Sequence, residues 1–274
     1  MRYILGLVLW LGLSVSLLTS CAAVRRINLI STPEELKLGA QFSREIEQQI
    51  TLYNDPVVLA YIDSLGQVIA RHSRRANIPY HIAVVDTDEV NAFAIPGGYL
   101  YVNRALIETA DTESELAGVM GHEIGHVVAR HGARQLTKRL GLSIIVALAA
   151  GEEPDLTRKI VADIVAAGGT FSLLHYSREA EQEADRLAVR ELYDSGIDPE
   201  GIVIFFEKLL SLQKRQLSSL EKLFSTHPPT EERIADVRAE IVRLPEKTGL
   251  SSNSQRFHAI KERIARRRSQ KNRR

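Results

Sequence analysis

The sequence predicts an α+β fold, mainly helical, with one small sheet. Helix starts recur along the chain: Thr32-Pro33-Glu34-Glu35, Asp55-Pro56, Asp198-Pro199 and Thr230 each offer a cap residue. In several of them proline follows at the first helical position, where its missing N–H costs nothing. The main β-rich stretch runs from Tyr80 to Val85 and continues as Asn91–Ile95 and Tyr99–Val102 around Pro96-Gly97-Gly98. Pro followed by Gly suits a type II turn, so a hairpin is expected there. Finally, 274 residues that are 45% hydrophobic and show no internal repeat suffice for one domain with a substantial core.

At the N-terminus, Arg2 is followed by an apolar run from Ile4 to Leu18 and then by Leu18-Thr19-Ser20-Cys21. Residues 1–20 read as a signal peptide. Its ending resembles a bacterial lipobox, which implies cleavage before Cys21 and lipidation at that residue, with 21–31 as a lipidated linker. Ala22 rather than Asp follows the cysteine, which by analogy with the sorting of such lipoproteins points to the periplasmic face of the outer membrane. Cys21 is the only cysteine, so no internal disulfide supports the core. A net charge of +1 gives no reason to expect nucleic acid as a partner.

After the helices opening at Thr32 and Asp55 comes the hairpin. If the strand through Asn91, Ala92, Phe93 and Ala94 lies at the sheet edge, its outward N–H and C=O groups can take an extended peptide as an added strand. From the pattern alone, a plain structural hairpin is as good a reading.

The next element carries the chemistry. Asp111-Thr112-Glu113-Ser114-Glu115 contains a Thr-x-x-Glu capping box, and Leu116, Val119, Met120, Val127 and Val128 recur at helical intervals. The helix therefore contains His122-Glu123-Ile124-Gly125-His126, a match to H-E-x-x-H. Four residues apart on a helix, both imidazoles point the same way and can grip one zinc ion, with Glu123 beside it as a base. Gly118, Gly121 and Gly125 each cost roughly 1 kcal/mol within a helix, which points to close approach of another backbone. His131, five residues beyond His126, falls off the metal face and reads as structural.

Two apolar runs follow, Gly141–Gly151 and Ile160–Leu174, both shorter than the ~17–25 residues of a membrane span. They are expected to form a helical hairpin, buried or touching a membrane surface. Ser177 then caps a helix that runs to Ser195-Gly196. Glu179 and Glu183 share a face with Arg186 and Arg190 and read as a solvated stripe. Glu181 shares its face with Ala184, Asp185 and Ala188, which makes it the expected third metal ligand, with Asp185 supporting a ligand imidazole.

Near the C-terminus, Ser225-Thr226-His227-Pro228-Pro229 presents an imidazole from a stiffened turn before the helix holding Arg233. His227 could donate to an oxyanion, fill the open metal position, or merely pack the turn. From Pro245 the composition turns to Lys, Ser, Asn and Arg, and residues 246–274 are expected to be a basic, disordered tail. Such a run could also lie on anionic lipid.

Four blocks together resemble the gluzincin zinc endopeptidases of the CAAX prenyl protease and HtpX-type heat-shock protease family, especially its bacterial periplasmic lipoprotein members. They are Asn91 to Gly98, His122 to His126, Ser177-Arg178 with Glu181 and Ala184-Asp185, and Thr226 to Pro229 with Arg233-Ile234. The resemblance covers roughly residues 32–244, which fits a metallopeptidase domain at 32–245. It implies a zincin-type fold, one Zn2+ per chain on His122, His126 and Glu181, and Glu123 as general base, and it favours Asn91–Ala94 as the substrate strand. His227 and Arg233 would stabilise the oxyanion. The implied function is a lipid-anchored periplasmic endopeptidase acting on unfolded or misassembled envelope proteins. The implied partners are polypeptide substrates, the membrane through Cys21 and outer-membrane assembly machinery. The rival is a chaperone or assembly factor in which zinc is mainly structural.

Overall fold

The computed structural model describes residues 30–166, 176–213, 220, 223 and 227–271. The signal peptide, Cys21, Thr226 and the end of the second apolar run lie outside the described residues.

The first helix, α1 (Thr32–Glu47), is capped one residue before the expected Thr32: Ser31 and Glu34 form a reciprocal capping box. Helix α2 (Pro56–Arg71) starts as expected at Asp55, whose carboxylate accepts from the N–H groups of Val57 and Val58. Strands β1 (His81–Val85), β2 (Ala92–Ile95) and β3 (Tyr99–Asn103) follow. They form one sheet in the order β1-β3-β2, with β1 parallel and β2 antiparallel to β3. Gly97 and Gly98 turn the hairpin with φ of 89° and 91°, a conformation that costs a glycine nothing.

Side chains alternate strictly across this sheet. Ile82, Val84, Ala92, Ala94, Leu100 and Val102 face the main core with α2 and the metal-motif helix. Ala83, Val85, Phe93, Ile95, Tyr99 and Tyr101 face a second core. That second core is closed by Leu38, Phe42 and Ile46 of α1 and by the apolar hairpin.

After the short α3 (Arg104–Thr109), helix α4 (Glu113–Val128) carries the motif. Thr112 caps it by accepting from the Glu115 N–H, worth ~1 kcal/mol, and residues 114–127 are all buried. It is the central helix, packed on α8 (Arg178–Asp194), α9 (Glu200–Gln213), α2 and β2. Helices α5 (His131–Leu140), α6 (Leu142–Ala150) and α7 (Pro154–Ala166) form the excursion between the ligand helices. Ile145, Leu148, Ala149, Ile160 and Val161 are buried against α1, while Ile144 and Val146 stay exposed. Among the described residues, no helix is long and apolar enough to cross a membrane.

Residues 246–271 of the basic tail, expected to be disordered, are built into the fold. After α10 (Glu231–Val242), the chain crosses to the start of α4, where the Ser114 N–H donates to the Ser252 carbonyl. It then forms α11 (Gln255–Lys271), in which Phe257, Ile260 and Ile264 enter the main core. Three of its half-exposed arginines pair with acidic groups of the domain: Arg263 and Arg267 bind the fully buried Asp55, and Arg268 reaches Asp88 and Glu108. The apolar stripe at helical spacing outweighs the composition that suggested disorder.

Candidate metal centre

Three elements deliver the site. Helix α4 points His122 and His126 inward, α8 crosses it to bring Glu181, and the turn before α10 adds His227. The crossing is close because α4 is thinned by glycines. A Cβ on Gly125 would stand 2.7 Å from the Ala184 carbonyl oxygen, and one on Gly118 would be 3.1 Å from the Ile202 Cα.

The Nε2 atoms of His122 and His126 lie 3.0 Å apart. Glu181 places Oε2 3.3 Å from the first and Oε1 3.4 Å from the second. His227 Nδ1 lies 3.3 Å from His122 Nε2 and 3.0 Å from Glu181 Oε2. Ligand bonds of ~2.0–2.1 Å at tetrahedral angles would set donor atoms ~3.3 Å apart, so these separations fit a tetrahedral ion such as zinc.

The outer hydrogen bonds fix which nitrogens offer lone pairs. His122 Nδ1 is 2.7 Å from Asp185 Oδ1; a carboxylate only accepts, so Nδ1 carries a proton and Nε2 is the nitrogen that is bare once a metal replaces its proton. His126 Nδ1 contacts His131 Nδ1 at 2.8 Å, and His131 Nε2 lies 3.1 Å from Glu183 Oε2. With Glu183 accepting from Nε2–H, His131 Nδ1 is an acceptor, His126 Nδ1 is the donor, and His126 Nε2 is also bare. Two ring lone pairs and a carboxylate facing one another across ~3 Å repel unless a cation lies between them.

The electrostatics carry the same demand. Burial alone pushes His122 towards neutrality, but Asp185 and then Glu181 outweigh it and lift its pKa to about 10, so without an ion a proton stands on Nε2 in the place a metal would take. Burial dominates at His126, which is held well below the usual value, and also lowers His131. Burial raises the Glu123 carboxyl above its ordinary range, with His227 and His122 pulling the other way. Glu123 Oε2 accepts the Ala94 N–H at 3.1 Å, and its Oε1 lies 3.6 Å from His227 Nε2.

Strand β2, the expected substrate strand, lies beside Glu123. The Asn91 carbonyl accepts from the Asn103 N–H, so alternation turns the backbone N–H and C=O groups of Phe93 and Ile95 towards β3 and those of Ala92 and Ala94 towards the outer edge. Phe93 stacks on Tyr101 in the second core, and Asn91 and Ala92 are buried, so only backbone is offered at this edge. The opposite sheet edge is partly covered, since the Tyr53 N–H donates to the Val84 carbonyl and the Asp86 N–H to Thr51.

Three expectations change. Arg233 does not face an open oxyanion position. Its guanidinium holds Asp185 at 2.8 and 2.7 Å, the Pro228 carbonyl at 3.2 Å and Glu181 at 3.2 Å, and it stacks on Phe206, so it anchors the Asp185 and Glu181 carboxylates. Glu183 does not pair with Arg186 and Arg190; it meets His131 and, at 3.5 Å, Arg134, and its pKa falls to about 2, chiefly through the His131 hydrogen bond. His131 does not fall off the metal face, because the helix through the motif is not continuous. Helix α4 ends at Val128, and Arg130, held at φ 57° by Glu35 and the Ile30 carbonyl, reverses the chain and returns His131 to His126. Tyr176, whose ring stacks 4.1 Å from that of His126, was also missed, although it stands next to the Ser177 cap.

Residues 57–241 match peptidase family M48. The chain is 35% identical over 225 residues to the beta-barrel assembly-enhancing protease of Escherichia coli K12, covering 76% of this chain and 44% of that protein. It is 34% identical over 165 residues to the mitochondrial metalloendopeptidase OMA1 of Arabidopsis thaliana, covering 60% of this chain and 32% of that one. It is 32% identical over 166 residues to the metalloprotease YcaL of Escherichia coli K12, covering 60% and 63%. The chain thus spans less than half the length of the assembly-enhancing protease.

Proposed function

Because this chain belongs to peptidase family M48, matched across residues 57–241, we propose that it is a zinc endopeptidase of the bacterial envelope that cleaves unfolded or misassembled envelope proteins. Within the family we place it with the lipoprotein members, anchored through lipidated Cys21 and facing the periplasm from the outer membrane. The observation that carries the enzymatic reading is the convergence of two imidazole Nε2 atoms and the Glu181 carboxylate beside a buried glutamate that is not needed as a ligand.

His122, His126 and Glu181 would hold the zinc, and Asp185 and Arg233 would hold those ligands in place. When bound, the ion supplies the positive charge that polarises a peptide carbonyl and acidifies water. Glu123 takes the proton of the attacking water and returns it to the leaving amine. Its burial, which raises its affinity for a proton, suits a group that must do both near neutral pH. The Ala94 N–H fixes that carboxylate at the sheet edge, so a peptide laid along Ala92–Ala94 is delivered to it. Recognition through backbone suits substrates of varied sequence. His227, lying among the donors, closes the site in this arrangement; swung outward, it would donate to the oxyanion. The name of the Escherichia coli relative, a beta-barrel assembly-enhancing protease, supports outer-membrane proteins as substrates and their assembly machinery as a partner.

The test is Glu123→Gln. The variant should bind zinc as the wild type does and cleave casein ~10²–10⁴-fold more slowly. Wild-type turnover in a zinc-loaded variant would contradict the proposal.

A further inference from the structure

The two ligand histidines have unlike outer partners. His122 donates directly to Asp185, itself locked by the buried Arg233. His126 instead meets a second imidazole, His131, which is 4% exposed and passes the contact on at 3.1 Å to Glu183. Glu183 has a side chain 47% exposed and belongs to α8, the helix that also supplies Glu181 and Asp185. We propose that His131 and Glu183 are positioning residues that form a relay from the protein surface to the metal ligand His126. Glu183 fixes the proton of His131 on Nε2, His131 Nδ1 accepts from His126 Nδ1–H, and His126 Nε2 is thereby turned bare towards the metal. The relay rests on the zinc reading above.

It departs from a packing role because each atom has an assigned hydrogen-bonding sense. Outer partners of this type are worth ~10–100-fold in metal affinity. Such a partner need not contribute to the apoprotein's stability, because the orientation it enforces matters only once an ion is held.

Zinc dissociation constants, measured by competition with a chromophoric chelator, test it alongside apoprotein melting temperatures. Glu183→Ala should weaken zinc binding towards the lower end of that range, because water can reach the exposed position, with the melting temperature almost unchanged. Glu183→Gln should restore wild-type affinity, since its amide oxygen accepts the same N–H. His131→Phe, which keeps the ring but not the acceptor, should lose ~10–100-fold. Should that variant fail to fold, nitrogen NMR of the zinc-loaded wild type decides: the relay requires His131 protonated on Nε2 and bare on Nδ1. The opposite tautomer, or a Glu183→Ala variant that binds zinc as tightly as wild type, would overturn the relay. A wild type that holds zinc and loses it on Glu181→Ala keeps the site reading intact whatever the relay variants do. A wild type that holds none sinks both.

Discussion

Glu191 lies inside α8 at 3% exposure, and both of its carboxylate oxygens lack a hydrogen-bond partner among the described residues. Burial pushes its pKa up to about 8 from an ordinary 4.5, with Arg74 only partly opposing. The unfolded chain ionises this group above pH 4.5 and the native chain only near pH 8. Its contribution to stability is therefore full in acid, declines as the pH climbs through that window and levels off above it. Glu191→Gln removes the penalty. The variant should melt at about the wild-type temperature near pH 4.5 and several degrees higher at pH 8, where each kcal/mol is worth ~2–4 °C. Parallel melting curves at both pH values would mean that the carboxylate has a partner that compensates it. Nothing in the sequence announces such a group, because a glutamate among Arg190 and Asp194 reads as solvated until α8 is packed.

At the scale of elements, the site depends on how closely α4 and α8 cross, and Gly125 is where they touch. An alanine there gains up to ~1 kcal/mol of helix propensity but brings its Cβ to 2.7 Å from a backbone oxygen that cannot swing away. Overpacking of this kind costs ~1–3 kcal/mol, so the clash should win. Gly125→Ala should lower the melting temperature and also weaken zinc binding, because parting the helices carries Glu181 away from His122 and His126. A higher melting temperature would show that the crossing yields freely. Both helices were legible in the sequence: Thr112 and Ser177 mark their starts, and the helical period puts Glu181 and Asp185 on one face. The third carboxylate, Glu183, was not legible, since its partner His131 arrives on α5 after a left-handed residue that carries no glycine as a marker.

For the whole molecule, α11 is the element whose composition misled most, and its partners are remote in sequence. Arg263 clamps Asp55, 208 residues away, while Asp55 also caps α2, and the Glu113 carboxylate at the head of α4 is held by Tyr61 and Ser254. Phe257, Ile260 and Ile264 together bury three large side chains, each worth ~1.5–3 kcal/mol, a large share of the ~5–15 kcal/mol that keeps a domain folded. Deleting residues 255–274 should lower the melting temperature by more than ~10 °C or unfold the chain, which circular dichroism would show. A truncated protein as stable as the full chain would mean that α11 is not part of the fold. Purified protein should be stripped with a chelator, tested for casein cleavage, and then titrated with zinc beside Glu181→Ala. Cleavage should vanish on stripping and return at one zinc per chain in the wild type, and it should stay lost in the variant. Cleavage that survives stripping, or that returns equally in Glu181→Ala, would contradict a catalytic zinc on His122, His126 and Glu181.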